Sequence, residues 1–385
     1  MKFAFQSYYF SLFFGFGVLF PLLAIYLQET GLSGSQIGLI MAIGPLTTFF
    51  FQPFWGILAD RKQIPKTLIV WCSLATALAV IGFILPPSFA RFIVTAALLA
   101  IFQCGLVPLG DRITLRYTEE GGKEYGRIRL WGSLGFAIAV ALGGALAQFT
   151  SLKVIFYLYM GSMLTAFFVA RSLPDKANPA EVHWQGKMGA LLRQPQFLLL
   201  LLGNFFIFGT FSAQNAFFGL YYQALGGSVA GVGLAFLLFA GSEIPFMLWV
   251  DRIIRRFHLM PVLFIAILVS TLRWLFYVTQ PPTPWLLATF FLQGFSVGFY
   301  LTAAVQMVYH MAAEETKATA LTLFSLVGVG LGAMALNAVG GWLMERYDII
   351  ATYWMMFFCS TCGLLAFGGI LLLQKRERSL AVPLR

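Results

Sequence analysis

Two acidic and two basic side chains lie within stretches of the chain that are otherwise apolar, namely Asp111, Arg129, Glu243 and Arg273. A charge at the centre of a bilayer costs at least about 2.5–3.5 kcal/mol, so we expect each of them to face a cavity and a partner. Asp111 and Arg129 flank a short loop and therefore lie on antiparallel neighbours, and the other two are arranged in the same way. The pattern predicts one acid–base pair in each half of the chain, whereas Arg112, next to Asp111, is expected to point elsewhere, towards the lipid headgroups. Such pairs either bind a solute and a proton or act only as salt bridges between helices.

Glu243 is the best candidate for a proton carrier, because few other acids are buried. Solute binding that alters the balance between its burial and the nearby charge of Arg273 would release or take up a proton. Uncharged polar side chains within apolar stretches are candidates for binding the solute: Gln103, Gln214, Asn215 and Gln293. An arginine among aromatic rings would suit an aromatic carboxylate, whereas carboxylate and amide acceptors would suit a sugar. The sequence leaves both open.

Composition excludes several classes of protein. Of the 385 residues, 59% are hydrophobic and only 10% are charged, whereas a soluble domain carries about 25% charged residues. The net charge of +10 comes from short segments between apolar stretches, which argues against nucleic acid as a partner. We find no Walker A sequence and no nucleophile–base set, so we expect neither an enzyme nor a cofactor. Cys359 and Cys362 form a CxxC inside an apolar span, where we expect packing and no metal site.

Twelve stretches are long and apolar enough to cross a membrane, which takes about 20 residues. They cover residues 4–28, 34–59, 66–86, 90–117, 126–149, 152–171, 195–222, 228–250, 257–279, 284–309, 316–343 and 349–373. The first is too long for the apolar part of a signal peptide, so we expect it to remain as a helix. Most of the 25 basic residues fall on one side of these spans. The positive-inside rule then places both termini in the cytoplasm, and we expect an inner-membrane protein.

Two halves follow from the spacing of the spans. We expect an N-terminal six-helix bundle over residues 1–172, a cytoplasmic linker over 173–194, and a C-terminal six-helix bundle with a short tail over 195–385. Weak internal similarity supports this division, as in carriers built from two parallel repeats. Asp60-Arg61 closes the second span as Asp251-Arg252 closes the eighth. The predicted fold class is an all-α membrane protein with twelve transmembrane helices in two pseudo-symmetric bundles.

The loop after the second span carries a recognisable motif. It reads Gly56-Ile57-Leu58-Ala59-Asp60-Arg61 and then Lys66. This resembles the G-x-L-A-D-R-x-x-x-[RK] signature of the major facilitator superfamily, with Lys66 one position late. The resemblance implies a latch at this end of the carrier, in which a carboxylate at a helix end pairs with nearby cations. It assigns a conformational gate to Gly56, Asp60 and Arg61, with Asp251 and Arg252 as their counterparts in the second half.

Within the superfamily, residues 107–111 and 125–133 resemble the phenylpropionate permease-like group and, more distantly, lactose permease and the oligosaccharide:proton symporters. The resemblance implies that Asp111 and Arg129 bind the substrate, and that Glu243 and Arg273 serve proton coupling. One departure is clear. The His and Glu that this family uses in its tenth span for coupling align here with side chains that cannot carry a proton, Gln293 and Ser296.

We therefore expect a monomeric secondary transporter that takes up a small organic solute, a sugar or an aromatic acid, together with protons. Its other partner is the lipid bilayer. Two alternatives remain open: a proton-coupled exporter and a uniporter without proton coupling. Exporters usually carry a Gly-Pro pair in the fifth helix, and the segment Arg129–Gln148 has glycines but no proline. That difference favours import.

Overall fold

The computed structural model describes residues 2–121, 124–174, 191–313 and 316–381, without the side chains of 121, 251, 318 and 374–381. Every regular element in these ranges is helical. The elements before residue 175 are α1 Lys2–Glu29, α2 Gly34–Lys62, α3 Pro65–Ala79, α4 Ile81–Ile84, α5 Phe89–Gln103, α6 Leu106–Gly121, α7 Tyr125–Phe149 and α8 Val154–Ala170. Those that follow are α9 Pro195–Ala224, α10 Val229–Phe257, α11 Leu259–Val278, α12 Thr283–Met311, α13 Lys317–Ser325, a π-helical segment Leu326–Gly332, α14 Ala333–Arg346 and α15 Ile349–Ala381.

Each predicted span corresponds to one of these helices or to a run of consecutive elements. Within the described ranges, eleven helices are long and apolar enough to cross a membrane, and α8 is a shorter apolar helix of 17 residues. The all-α, twelve-helix fold class is thus confirmed. Three of the spans consist of consecutive shorter elements: α3 with α4, α5 with α6, and α13 with the π-helical segment and α14.

The fourth span is interrupted between α5 and α6, at Cys104 and Gly105. Pro108 lies in the first turn of α6, where the missing N–H leaves no intrahelical bond unmade. Trp55 of α2 packs at the break, because a methyl group added to Gly105 would lie only 3.0 Å from its indole ring. The same indole donates a hydrogen bond of 2.6 Å to the carbonyl of Ile101. The break therefore turns the polar end of this span, α6, into a separate helix that carries Asp111.

Two compact units emerge from the contacts between residues. The first contains residues 1–181 together with 215–240, and the second contains 182–214 together with 241–385. Helices α9 and α10 are divided between the units, so the units differ from the predicted division at 172 and 195. The two-bundle domain layout stays a prediction based on the internal repeat.

In the first unit, α1 packs against α7 and α8 along most of its length. Glycines allow the backbones of α1 and α7 to approach closely. A methyl group added at Gly135 would lie 2.4 Å from the carbonyl oxygen of Phe10, and one added at Gly17 would lie 2.8 Å from that of Phe136. The contact holds Tyr9 of α1 against the part of α7 that carries Arg129.

In the second unit, α11 packs against α12 and α15, and α9 packs against the π-helical segment. Asn204 of α9, 1% exposed, donates to the carbonyl of Phe324 at 2.6 Å and accepts from the hydroxyl of Tyr300 at 2.8 Å. Methyl groups at Gly328 and Gly332 would lie 2.2 Å and 2.3 Å from atoms of Asn204 and Phe205. Asn204 thus satisfies a carbonyl just before the segment where the helix changes its hydrogen-bond register.

Substituting Gly135 by alanine is expected to destabilise the protein by about 1–3 kcal/mol, because a backbone oxygen cannot move away from the added methyl group. Gly161 of α8 is the matched control, since no atom lies within 4 Å of a methyl group added there. We expect Gly161→Ala to be neutral or slightly stabilising, because alanine favours the helix over glycine. Thermal unfolding of both purified variants tests this. Equal melting temperatures would contradict the close contact between α1 and α7.

Candidate functional site

Asp111 lies on α6 and is held by two tyrosines from different helices. The hydroxyl of Tyr9 on α1 donates to Asp111 Oδ1 at 2.6 Å, and that of Tyr125 on α7 donates to the same oxygen at 2.9 Å. Tyr9 is fully buried and its hydroxyl also lies 3.2 Å from Thr114 Oγ1. Hydrogen bonds to a charged acceptor are stronger than those between neutral groups. The two phenols therefore fix one oxygen of a half-buried carboxylate and orient the other.

Arg129, at the start of α7, contacts aromatic faces. Its guanidinium carbon lies 4.0 Å from the centre of the Phe13 ring and 5.4 Å from that of Tyr9. Both distances suit cation–π attraction. Among the described residues no ion pair joins Arg129 to Asp111. Tyr9 instead contacts both, through its ring and its hydroxyl, and so links the two charges that the sequence predicted as a pair.

Sequence reasoning missed Tyr9, Phe13 and Tyr125. Their only signal was position: Tyr9 is a polar aromatic residue in an apolar first span, and Tyr125 opens the motif that contains Arg129. Both belong to residue types that are abundant in this chain, which has 41 Phe and 14 Tyr. Because these residue types are so common, the sequence did not single out these three. The packing of α1 against α6 and α7 identifies them.

The carboxylate of the sequence motif, Asp60 at the end of α2, forms an ion pair and a hydrogen bond with Arg112 of α6. The two side chains are 23% and 17% exposed, so water only partly screens the pair. Arg112 was expected to point away from Asp111 towards the lipid headgroups, and its partner Asp60 could not be inferred from the sequence. Because Arg112 follows Asp111 directly, α6 connects the motif carboxylate to the tyrosine-bound carboxylate.

The other predicted gate residues are placed as follows. Gly56 is half-buried, with no atom within 4 Å of a methyl group added there, and Arg61 is exposed on α2. Arg252 is exposed on α10, and the side chain of Asp251 lies outside the described part of the structure.

In the second unit, Arg273 of α11 is 2% exposed. Its guanidinium carbon lies 4.3 Å from the centre of the Trp274 ring and 5.7 Å from that of Tyr277. None of its three guanidinium nitrogens has a hydrogen-bond partner among the described residues. Glu243 is half-buried on α10, and no hydrogen bond joins it to Arg273. The structure therefore does not bring these two side chains into the direct contact that the sequence suggested.

The remaining candidate solute ligands differ in exposure. Gln214 and Gln293 are fully buried in the second unit, and Tyr353 donates to Gln214 Oε1 at 3.0 Å. Gln103 is buried at the end of α5, and Asn215 is exposed on α9, both in the first unit. Glu243 lies beside α12, because a methyl group at Gly294 would lie 2.7 Å from its backbone nitrogen.

Known proteins match the chain over nearly its whole length. The model of the MFS_1 like family matches residues 3–355. The chain belongs to this family. It is 43% identical to the maltose permease of Geobacillus stearothermophilus over 98% of this chain and 96% of that protein. It is 36% identical to the uncharacterized transporter YwbF of Bacillus subtilis, over 98% and 94% of the two chains.

More distant matches agree with the same class. A probable 3-phenylpropionic acid transporter of Escherichia coli is 25% identical, over 90% of this chain and 92% of that protein. A mutant of the nucleoside transporter NupG has the same fold, with a TM-score of 0.88 at 16% identity over 96% of this chain and 99% of the other. The resemblance to the major facilitator superfamily is confirmed, and the chain is a multi-pass membrane transporter rather than an enzyme.

The Asp60–Arg112 ion pair is expected to stabilise the fold measurably. Asp60→Asn and Arg112→Gln should each lower the melting temperature, while the exchange Asp60→Arg with Arg112→Asp should recover part of the loss. A coupling energy of roughly 0.5–3 kcal/mol is expected for residues in direct contact. Arg116→Gln serves as the control, because its pair with Glu120 is more exposed, at 31% and 58%, and should contribute little. Strictly additive losses of stability in the double variant Asp60→Asn with Arg112→Gln would show that the ion pair does not form.

Proposed function

We propose that this transporter takes up a disaccharide of the maltose type, together with protons, by alternating access across the cytoplasmic membrane. The observation that carries the proposal is the 43% identity to a maltose permease over 98% of the chain. The distribution of basic residues supports cytoplasmic termini. We further propose that the protein acts as a monomer. A proton-coupled exporter or a uniporter would be the alternative.

The geometry around Asp111 supports a sugar as the solute. Tyr9 and Tyr125 both donate to Oδ1, which leaves Oδ2 oriented to accept from sugar hydroxyls. Arg129 supplies donors, and aromatic rings lie beneath its guanidinium. A site that hydrogen-bonds hydroxyl groups rejects analogues that lack them, since its polar atoms are then left without partners. We assign sugar binding to Asp111 and Arg129, with Tyr9 and Tyr125 as positioning residues.

Proton transfer is assigned to Glu243. Gln293 and Ser296, which stand where related symporters have ionisable residues, are fully buried in α12 and cannot titrate near neutral pH. Glu243 lies beside α12 at Gly294 and is a half-buried acid at mid-span on α10. The Asp60–Arg112 pair supports a role for the α2 motif as a latch that is made and broken during the transport cycle. We propose that Asp251 and Arg252 act in the same way in the second half.

Proton-coupled maltose uptake is tested by adding maltose to lightly buffered, de-energised cells that express the protein. We expect the medium to become alkaline, because inward symport removes external protons. Glu243→Gln should abolish this signal and uphill accumulation but retain exchange of labelled maltose across the membrane. Addition of 3-phenylpropionate provides the comparison. Alkalinisation with the acid but not with maltose would refute the sugar assignment, and maltose exchange without any pH change in the wild type would refute symport.

Tyr9→Phe is expected to raise the KM for the transported sugar by about tenfold or more, because a hydrogen bond to a charged group contributes about 1.5–3 kcal/mol. The ring beneath Arg129 is kept in this variant, so the effect isolates the hydroxyl. Tyr8→Phe is the control, since the Tyr8 hydroxyl is also buried but donates to the backbone carbonyl of Leu106, at 2.9 Å. Initial uptake rates across a sugar concentration series give KM for both. A similar KM in Tyr9→Phe and the wild type would exclude the positioning role.

A further inference from the structure

Arg273 carries a buried positive charge for which the proposed transport function provides no counter-charge. It is a permanently charged side chain, 2% exposed, and none of its guanidinium nitrogens has a hydrogen-bond acceptor among the residues that the structure describes. A buried ion without a counter-charge is strongly unfavourable in a protein interior and more so in a bilayer. Contact with the rings of Trp274 and Tyr277 offsets part of this cost. Ring faces, however, do not satisfy in-plane N–H donors.

Two further buried donors without acceptors among the described residues belong to the aromatic cluster that Trp274, Tyr277 and Tyr353 form around Arg273. Trp274 Nε1 and Gln214 Nε2 are both buried and have no partner in the described ranges. Tyr353 connects them, because its ring lies 6.4 Å from that of Trp274 and its hydroxyl donates to Gln214 Oε1 at 3.0 Å. That hydrogen bond fixes the amide of Gln214 with its oxygen occupied and its N–H groups available. The cluster therefore offers donors from three side chains and one net positive charge.

From these observations we propose that Arg273, Trp274 and Gln214 form a binding site for a small monovalent anion within the second unit. A single uncompensated guanidinium calls for one negative charge. The ligand must be small because Arg273, Trp274 and Gln214 are all at most 2% exposed, which excludes a whole disaccharide. The shared chemistry is a compact monoanion, supplied either as a free halide or as the carboxylate of a small organic acid. The anion compensates Arg273 and stabilises the unit that holds it.

Trp274 provides a direct optical test that does not involve transport. Its indole is fully buried, so a quencher in bulk solvent cannot collide with it, whereas bromide bound beside Arg273 would quench it. The full-length protein in lipid nanodiscs is titrated with sodium bromide against sodium gluconate at constant ionic strength. We expect a saturable component no larger than the emission of one of the nine tryptophans. Exposed tryptophans such as Trp71 and Trp285 add only an unsaturable, linear component.

Variants assign the saturable component to the site. Arg273→Gln and Trp274→Phe should both remove it. Bound bromide should also raise the melting temperature, in the wild type and in Trp274→Phe, where the charge remains, but not in Arg273→Gln. Gln214→Leu should raise the half-saturating bromide concentration about tenfold, through loss of one hydrogen bond to an ion. Arg346→Gln is the matched control, because Arg346 lies exposed at the end of α14 in the same unit. Its saturable quenching should equal that of the wild type.

Competition between bromide and other anions shows whether the natural ligand is a halide or a carboxylate. Displacement of bromide by chloride indicates a halide site, and displacement by acetate or benzoate but not by chloride indicates a carboxylate site. Purely linear quenching in the wild type, or saturable quenching that persists in Arg273→Gln, would overturn the proposal. If Arg273→Gln does not fold, an unchanged half-saturating concentration in Gln214→Leu would overturn it instead. Because no transported solute is needed, these results are independent of whether the protein carries maltose.

Discussion

The hydrocarbon interior of a bilayer offers no partner to a polar group, and this constraint governs every polar side chain in the spans. Asn204 bridges a carbonyl and a tyrosine hydroxyl, Trp55 donates to the carbonyl of Ile101, and Asp60 meets Arg112. Each of these contacts satisfies a group where a helix is broken, changes register or ends. The contacts of Asn204 and Trp55 are therefore structural, whereas the Asp60–Arg112 pair also forms the proposed latch. The groups whose bonding capacity stays incomplete are those to which function can be assigned.

Close approach of helices makes these contacts possible. Without water as an alternative partner, association of helices within a bilayer depends on packing, and small residues let backbones approach. Gly135 brings α7 onto the backbone of α1 at Phe10, one residue from Tyr9, whose hydroxyl reaches Asp111. In the second unit, Gly328 and Gly332 bring the π-helical segment onto α9 beside Asn204. In both units a close glycine contact fixes the position of a polar side chain along the axis of the neighbouring helix.

The sequence predicted what depends on composition and on single residues. Twelve apolar stretches gave the helices, and the scarcity of acids inside them singled out Asp111 and Glu243. The partners of those acids depend on which faces of distant helices meet, and periodicity carries little information when a helix is apolar all round. Arg112, next to Asp111, was expected to point towards the lipid headgroups, although it pairs with Asp60, 52 residues earlier. Tyr9, 102 residues before Asp111, was hidden among many aromatic residues.

The surroundings of the buried charged side chains differ between the two units. In the first, the acid Asp111 receives two phenol hydrogen bonds and the base Arg129 is half-buried over aromatic rings. In the second, the base Arg273 is enclosed, with donors but no acceptor among the described side chains. Sequence repeats suggest equivalent acid–base pairs, yet an acid that is pre-oriented by donors suits a neutral, hydroxyl-rich ligand, whereas an enclosed cation requires negative charge. Under the proposed function, the acid of the first unit binds the neutral solute, whereas the enclosed cation of the second unit calls for a bound negative charge.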